Sequence, residues 1–183
     1  MRLSPSLDQL CIAIGCTCLL AVTISLVSAA SFQRTAARAF ERELVSRAPP
    51  EPVVAGSAIG RLEIPRLRLS VIVIEGDDDA TLSRAVGHLP GTAFPWDRGN
   101  AVLAGHRDTF FRPLMDLREG DEIRMMTVRG TFTYRVTRLE IVEPDDVSAI
   151  APKLEQSLTL VTCYPFVYVG RAPQRFVIHT AAF

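Results

Sequence analysis

The sequence predicts an all-β barrel or sandwich carried behind one apolar helix. Two observations lead to the β domain. From Ala58 onward the dominant spacing of apolar residues is two, and the alternating runs are short and separated by Gly, Pro and Asp. A third observation sets the helix apart: Leu10 to Ala30 is a run of 21 residues without a charge.

The apolar run comes first in the chain. At about 1.5 Å per residue a helix of that length spans roughly 30 Å, the thickness of a bilayer core. Val27-Ser28-Ala29 has the small residues of a cleavage site. The run nevertheless exceeds the ~7–15 residue core of a signal peptide, so a retained anchor in the lipid bilayer through residues 10–30 is expected, behind a short N-terminal segment, residues 1–9. Arg2 precedes the span, whereas Arg34, Arg38, Arg42 and Arg47 follow it. That count favours a cytoplasmic C-terminal domain, but large domains translocate largely regardless of charge, and the side stays undecided on charge alone.

Residues 31–57 read as a juxtamembrane helix or stalk and a linker. Phe40 and Leu44 stand one turn apart, and Glu43 and Arg47 form an i,i+4 pair. Ala48-Pro49-Pro50-Glu51-Pro52 stops any helix, because proline lacks the N–H and restricts its predecessor. The domain proper is residues 58–183.

Within it, Arg61 to Ile64 alternates and Leu67 to Ile74 is rich in β-branched residues. Phe132, Tyr134 and Val136 alternate with Thr133 and Arg135, and the apolar phase then moves to Leu139 and Ile141, which predicts a bulge near Thr137-Arg138. Asn100 to Ala104, Glu122 to Val128, Ser157 to Thr162 and Gln174 to Thr180 bring the expectation to about eight strands. Only Asp78 to Val86 and Asp145 to Ile150 read as short helices, each opened by an Asp cap.

Composition excludes several functions. The chain has 183 residues, 48% hydrophobic, enough for one domain and a short appendage. Twenty basic and twenty acidic residues cancel. This argues against a nucleic-acid partner bound through bulk electrostatics and against a disordered charged tail. Cys11, Cys16 and Cys18 lie in the apolar span, leaving Cys163 as the one thiol of the domain. It has no intramolecular disulfide partner there, and four scattered cysteines make no zinc site. Neither metal nor cofactor is expected.

Cys163 ends the alternating run SLTLVTC, two residues before Pro165, where a ladder must stop. His106 follows a strand that ends at Gly105, in LAGHRDTFF. Arg175 lies twelve residues after Cys163, at the start of QRFVIHT, and two strands joined by that loop would set it beside the thiol. Singly, each has an ordinary structural reading: a solvated loop histidine, a small packed thiol, a surface arginine. Together they form a nucleophile, an acid/base and an oxyanion donor. The thiolate attacks carbonyl carbon and is favoured by a nearby cation. Histidine can protonate a leaving amine near neutral pH. Guanidinium is a permanent donor.

At these residues the chain resembles the sortase family. TLVTC at Thr159 to Cys163, with Arg175 on the next strand, is similar to the family's TLxTC strand and its arginine, and AGHRDTFF resembles its catalytic-histidine segment. GHLPGTAFPWDRGN, IPRLRLSVIV and CYPFVYVGRAPQRFV look closest to class D and related proteobacterial sortases. The likeness runs over about residues 58–181. Papain-like proteases place Cys before His and need an Asn, and the Ser-x-Gly-Cys-x-Arg segment typical of L,D-transpeptidases is absent.

The resemblance implies a closed eight-stranded barrel whose groove accepts an LPxTG-like sorting signal. It implies that Cys163 attacks the Thr–Gly carbonyl to form a thioester, that His106 protonates the departing amine and deprotonates the incoming one, and that Arg175 stabilises the oxyanion with the backbone N–H of Tyr164 as a second donor. Thr162, Tyr164 and Gly105 are the expected substrate-contacting positions. It also implies an N-in anchor with the domain on the extracytoplasmic side of the cell membrane, and an amine nucleophile on the cell surface as acceptor. Two other readings stay open: a cysteine processing protease that gives the thioester only to water, and a membrane-tethered β-domain that binds a partner through an inert Cys163. His88 and His179 read as structural, the latter on the same strand parity as Arg175. Asp77-Asp78-Asp79 reads as a helix cap rather than a calcium loop, and Asp108 as a turn cap or an orienter of His106.

Overall fold

The computed structural model describes residues 6–46 and 52–183. Arg2, Arg47 of the expected Glu43–Arg47 pair and Ala48 to Glu51 of the proline-rich stop lie outside the described residues. Helix α1 runs Leu7–Val45 without a break, opened by a Ser6 capping box with Gln9. It is long and apolar enough to cross a membrane, and none of its most apolar stretch is buried against the described residues. The helix is not interrupted where the apolar run ends at residue 30, because Ser31 onward continues with good helix formers.

Eight strands close into a barrel in the order β1-β2-β3-β4-β7-β8-β6-β5. They are β1 (Ala58–Ile64), β2 (Leu69–Glu75), β3 (Val86–His88), β4 (Asn100–Ala104), β5 (Glu122–Thr127), β6 (Gly130–Val142), β7 (Ser157–Tyr164) and β8 (Gln174–Ala182). Closure leaves no unpaired edge. β2–β3 and β4–β7 are parallel and the other neighbours antiparallel. Inward residues of alternating parity, among them Leu62, Val73, Leu103, Met125, Tyr134, Leu158, Leu160 and Ile178, fill one core. The expected irregularity in β6 is present: the register with β8 shifts between Val136 and Arg138.

Two short elements differ from expectation. The helix expected over Asp78 to Val86 is one turn, α2 (Asp79–Leu82), capped by Asp78 through Thr81. Residues 86–88 instead form β3, because Val86 pairs with Val73 and Gly87 with Ala104. Leu67, expected to begin the second strand, closes a 3-10 turn at Pro65–Leu67, and Arg68 follows with φ of 51°. The segment Val147–Ile150 is likewise 3-10, capped by Asp146 rather than Asp145.

The expected juxtamembrane stalk is not free. The second half of α1 lies on the outside of β1 and β2, where Phe32, Ala36, Ala37 and the fully buried Phe40 pack on Ile72, Ile74 and Ala85. Burying a phenylalanine is worth about 1.5–3 kcal/mol. Gln33 adds two bonds to main chain: its Nε2 donates to the Arg84 carbonyl at 2.8 Å, and its Oε1 accepts from the Ile72 N–H at 2.9 Å. Arg61 pairs with Glu41 at 2.9 Å and stacks over Phe40.

Candidate active site

Strand alternation places the groups. Leu158, Leu160 and Thr162 of β7 point inward, so Thr159, Val161 and Cys163 face outward. Cys163 and Arg175 are direct cross-strand partners at the ends of β7 and β8. Side chains so paired share one face with Cβ atoms about 5 Å apart. Both are half-buried. Nη1 of Arg175 donates to the Gln174 carbonyl at 3.0 Å, and Nη2 and Nε have no protein partner among the described residues.

His106 arrives on the other side of β7. β4 runs parallel to it, with Ala104 opposite Val161. The ladder continues one residue further, because the Gly105 N–H donates to the Val161 carbonyl at 3.2 Å and the Thr162 hydroxyl donates to the Gly105 carbonyl at 2.7 Å. His106 therefore leaves β4 two residues beyond Ala104, as Cys163 stands two residues beyond Val161. Its side chain is exposed. Only glycine fits before it, since a Cβ on Gly105 would stand 2.8 Å from the Phe111 ring.

The neighbouring positions divide. Thr162 is buried and its hydroxyl is committed to Gly105, so it ties the thiol strand to the histidine strand from inside the barrel. Gly105 is buried too. The Tyr164 ring packs with Phe166 and Phe176 and stops that end of the barrel. The Asp108 carboxylate pairs with Arg107 at 3.2 Å and lies 4.0 Å from Arg112, and no bond from it to His106 or to a turn N–H is found among the described residues.

Two residues missed in the sequence hold the site together. Arg107 is 6% exposed, and its Nη1 and Nη2 donate to the carbonyls of Pro165 (2.7 Å) and Tyr168 (3.0 Å). Arg112 donates to the Phe166 carbonyl. The histidine segment thus grips the loop that leaves Cys163. The one trace of it in the sequence is that Arg107 adjoins the histidine in AGHRDTFF; the carbonyls it grips leave none. Charge-assisted bonds of this kind are worth about 1.5–3 kcal/mol each. Arg107→Gln is expected to lower stability by about 2–4 kcal/mol and kcat by about 10–100-fold, with Arg107→Lys intermediate; denaturant melts and steady-state kinetics check both.

The other histidines stand apart. His88 is fully buried, stacked on Phe94 with ring nitrogens engaged by Glu75 (2.6 Å) and the Ala93 carbonyl (2.9 Å). His179 faces outward four residues along β8 from Arg175, opposite Thr159. Burial first, then Lys153, holds it below the usual histidine range despite Glu140 at 3.3 Å. Asp78 caps α2. No group of three or more His, Cys, Asp or Glu side chains that could hold a metal ion is found among the described residues.

The connection after β6 folds over the outer face of β7 and β8, where Val142, Ala149, Val161 and Val177 pack together. Asn100 holds it through the carbonyls of Ile150 (3.4 Å) and Ala151 (3.2 Å). Between that connection and residues 91–100 lies an open, mainly apolar cavity of about 580 Å³. Asn100 pairs with Ser157, six residues before Cys163 on β7, or about 20 Å away.

This architecture matches known proteins. A family model described as Sortase domain matches residues 62–182. Sortase D of Bacillus subtilis is 43% identical over 125 residues, covering 68% of this chain and 63% of the relative. Sortase A of Listeria monocytogenes is 27% identical over 135 residues, with 68% of this chain and 60% of the relative covered. The chain thus spans a little under two thirds of the length of these curated relatives. Among solved structures, the catalytic domain of B. anthracis SrtD superposes with TM-score 0.63 at 37% identity, covering 74% of this chain and 94% of that one. A Clostridium perfringens sortase D5 transpeptidase shares the fold with TM-score 0.75 at 24% identity, covering 84% and 99%. The thiol strand, its arginine partner and the histidine turn lie inside the matched region, and the chain belongs to the sortase family.

Proposed function

We propose that this chain is a membrane-anchored cysteine transpeptidase that cleaves an LPxTG-like sorting signal between Thr and Gly and passes the acyl group to an amine. The observation that carries the reading is the cross-strand pairing of Cys163 with Arg175 on the outward face of β7 and β8.

In this mechanism Cys163 Sγ, as thiolate, attacks the Thr carbonyl carbon. The carbonyl oxygen takes the negative charge and accepts from the free Nη2 and Nε of Arg175, with the Tyr164 N–H as second donor. Collapse re-forms the C=O and breaks the C–N bond, and His106 gives its proton to the departing Gly amine. An incoming amine, deprotonated by neutral His106, attacks the thioester and releases the thiolate. Residues 10–30 hold the enzyme in the cell membrane, N-terminus inside, with the domain on the extracytoplasmic side. The acceptor is an amine on the cell surface.

The test uses the full chain in detergent with a panel of fluorogenic peptides carrying LPxTG-like motifs, with and without a glycine-based amine. Amine-dependent adduct formation lost in Cys163→Ala is the expected result. Cleavage with no adduct would instead establish the hydrolytic protease. Absence of any Cys163-dependent turnover across the panel would leave a tethered binding domain.

A further inference from the structure

Helix α1 passes from its apolar half to its docked half without a break, so the barrel's distance from the bilayer is fixed by helix geometry. The apolar run ends at Ala30. Gln33, whose side chain bonds main-chain atoms of Ile72 and Arg84, is three residues on, or about 4.5 Å. A headgroup layer is about 5–8 Å deep on each side of the hydrocarbon. These two turns of the barrel therefore stand at headgroup height. The guanidinium of Arg84 lies 5.0 Å from the Phe32 ring centre, level with the first turn beyond the apolar run.

The same edge continues into β2, because Gln33 bonds both the Arg84 carbonyl and the Ile72 N–H, two residues on from Ser70 near the start of that strand. Ser70, Gln33 and Arg34 border one small depression. Arg68 precedes it in the turn after Leu67. Arg34, Arg68 and Arg84 are all exposed, and no carboxylate pairs with any of them among the described residues. The neighbouring acid Glu63 faces the Ser70 hydroxyl at 3.5 Å. Asp79 opens the one-turn helix that leads into this edge, its carbonyl accepting from the Ser83 N–H at 3.0 Å, while Asp77 follows the opposite end of β2, beyond Glu75, whose main chain bonds Ser57. That end is level with the top of the helix: Ser57 and Arg129 border the same cavity as Glu43, 13 residues past Ala30 and about 20 Å higher.

We propose that this arginine-bearing edge, the Arg68–Ser70 and Ser83–Arg84 turns, rests in the phospholipid headgroup layer, with Arg34, Arg68 and Arg84 on lipid phosphates. The inference rests on the reading of α1 as a membrane span. It makes the membrane surface part of the enzyme's seat, so that the barrel is held at one height and one orientation rather than swinging on a tether.

The experiment uses the full chain in nanodiscs, its four native cysteines replaced by alanine, with a nitroxide at Ser83→Cys or at Arg129→Cys. Nickel-chelating lipids are expected to relax the Ser83 probe severalfold more than the Arg129 probe. Equal, weak relaxation at both sites in a chain that resists alkaline carbonate would overturn the seating and leave the anchor intact. Extraction by carbonate would overturn the anchor and the seating with it. A second arm compares phosphatidylcholine discs with discs containing phosphatidylglycerol. The anionic lipid is expected to raise the barrel's melting midpoint by a few degrees in the parent and not in the R34Q/R68Q/R84Q variant. The same rise in both would overturn the phosphate contacts.

Discussion

Cys163→Ala is expected to remove peptide cleavage, with a loss of about 10⁴–10⁶-fold, the scale seen when the nucleophile of a covalent mechanism is deleted. The change is clean because the side chain is small, half-buried and outside the main core, so the barrel should melt within about 1 kcal/mol of the parent. Cys163→Ser is expected to be nearly as inactive, since a hydroxyl is scarcely ionised where a thiol is already an intrinsically strong nucleophile. A thiol-directed sulfonate should stop turnover at one equivalent in a background where Cys11, Cys16 and Cys18 are alanine. Residual Cys163→Ala activity above about 1% of the parent, or full activity after complete labelling of Cys163, would remove the thiol from the mechanism.

The parts of this site that were legible in the sequence are those set by strand parity and strand ends. Thr159, Val161 and Cys163 alternate with Leu158, Leu160 and Thr162, and the run QRFVIHT returns at the distance a short loop allows; the direct Cys163–Arg175 pairing follows from those two facts. The phase change after Val136 likewise announced the register shift. What escaped depends on long-range contacts. β3 is three residues long and becomes a strand only because Val73 and Ala104 flank it. The docked half of α1 read only as a juxtamembrane helix or stalk because its contact residues, Gln33 and Phe40 among them, meet partners that the chain reaches only twenty or more residues later. The Arg107 clamp is a buried charge bonded mainly to main-chain carbonyls, and carbonyls leave no mark in a sequence.

Arg175→Ala is expected to lower kcat by about 10²–10³-fold, the cost of losing an oxyanion donor. Arg175→Lys separates charge from geometry. Lysine keeps a cation opposite Cys163 but gives up the planar fork, in which Nη1 is anchored on the Gln174 carbonyl while Nη2 and Nε remain free. If the guanidinium acts by holding the developing oxyanion, the lysine variant should recover only a small part of the loss, and the defect should fall on kcat with KM nearly unchanged. If a positive charge beside the sulfur is what matters, lysine should recover most of it. Single-turnover acylation of the peptide distinguishes these outcomes, since both variants should still bind substrate in the groove. A defect in KM alone would assign Arg175 to peptide binding. The anchored Nη1 gives a further check: Gln174 contributes only main chain to that bond, so Gln174→Ala should leave acylation within about twofold of the parent, as expected if the fork is held by the strand itself.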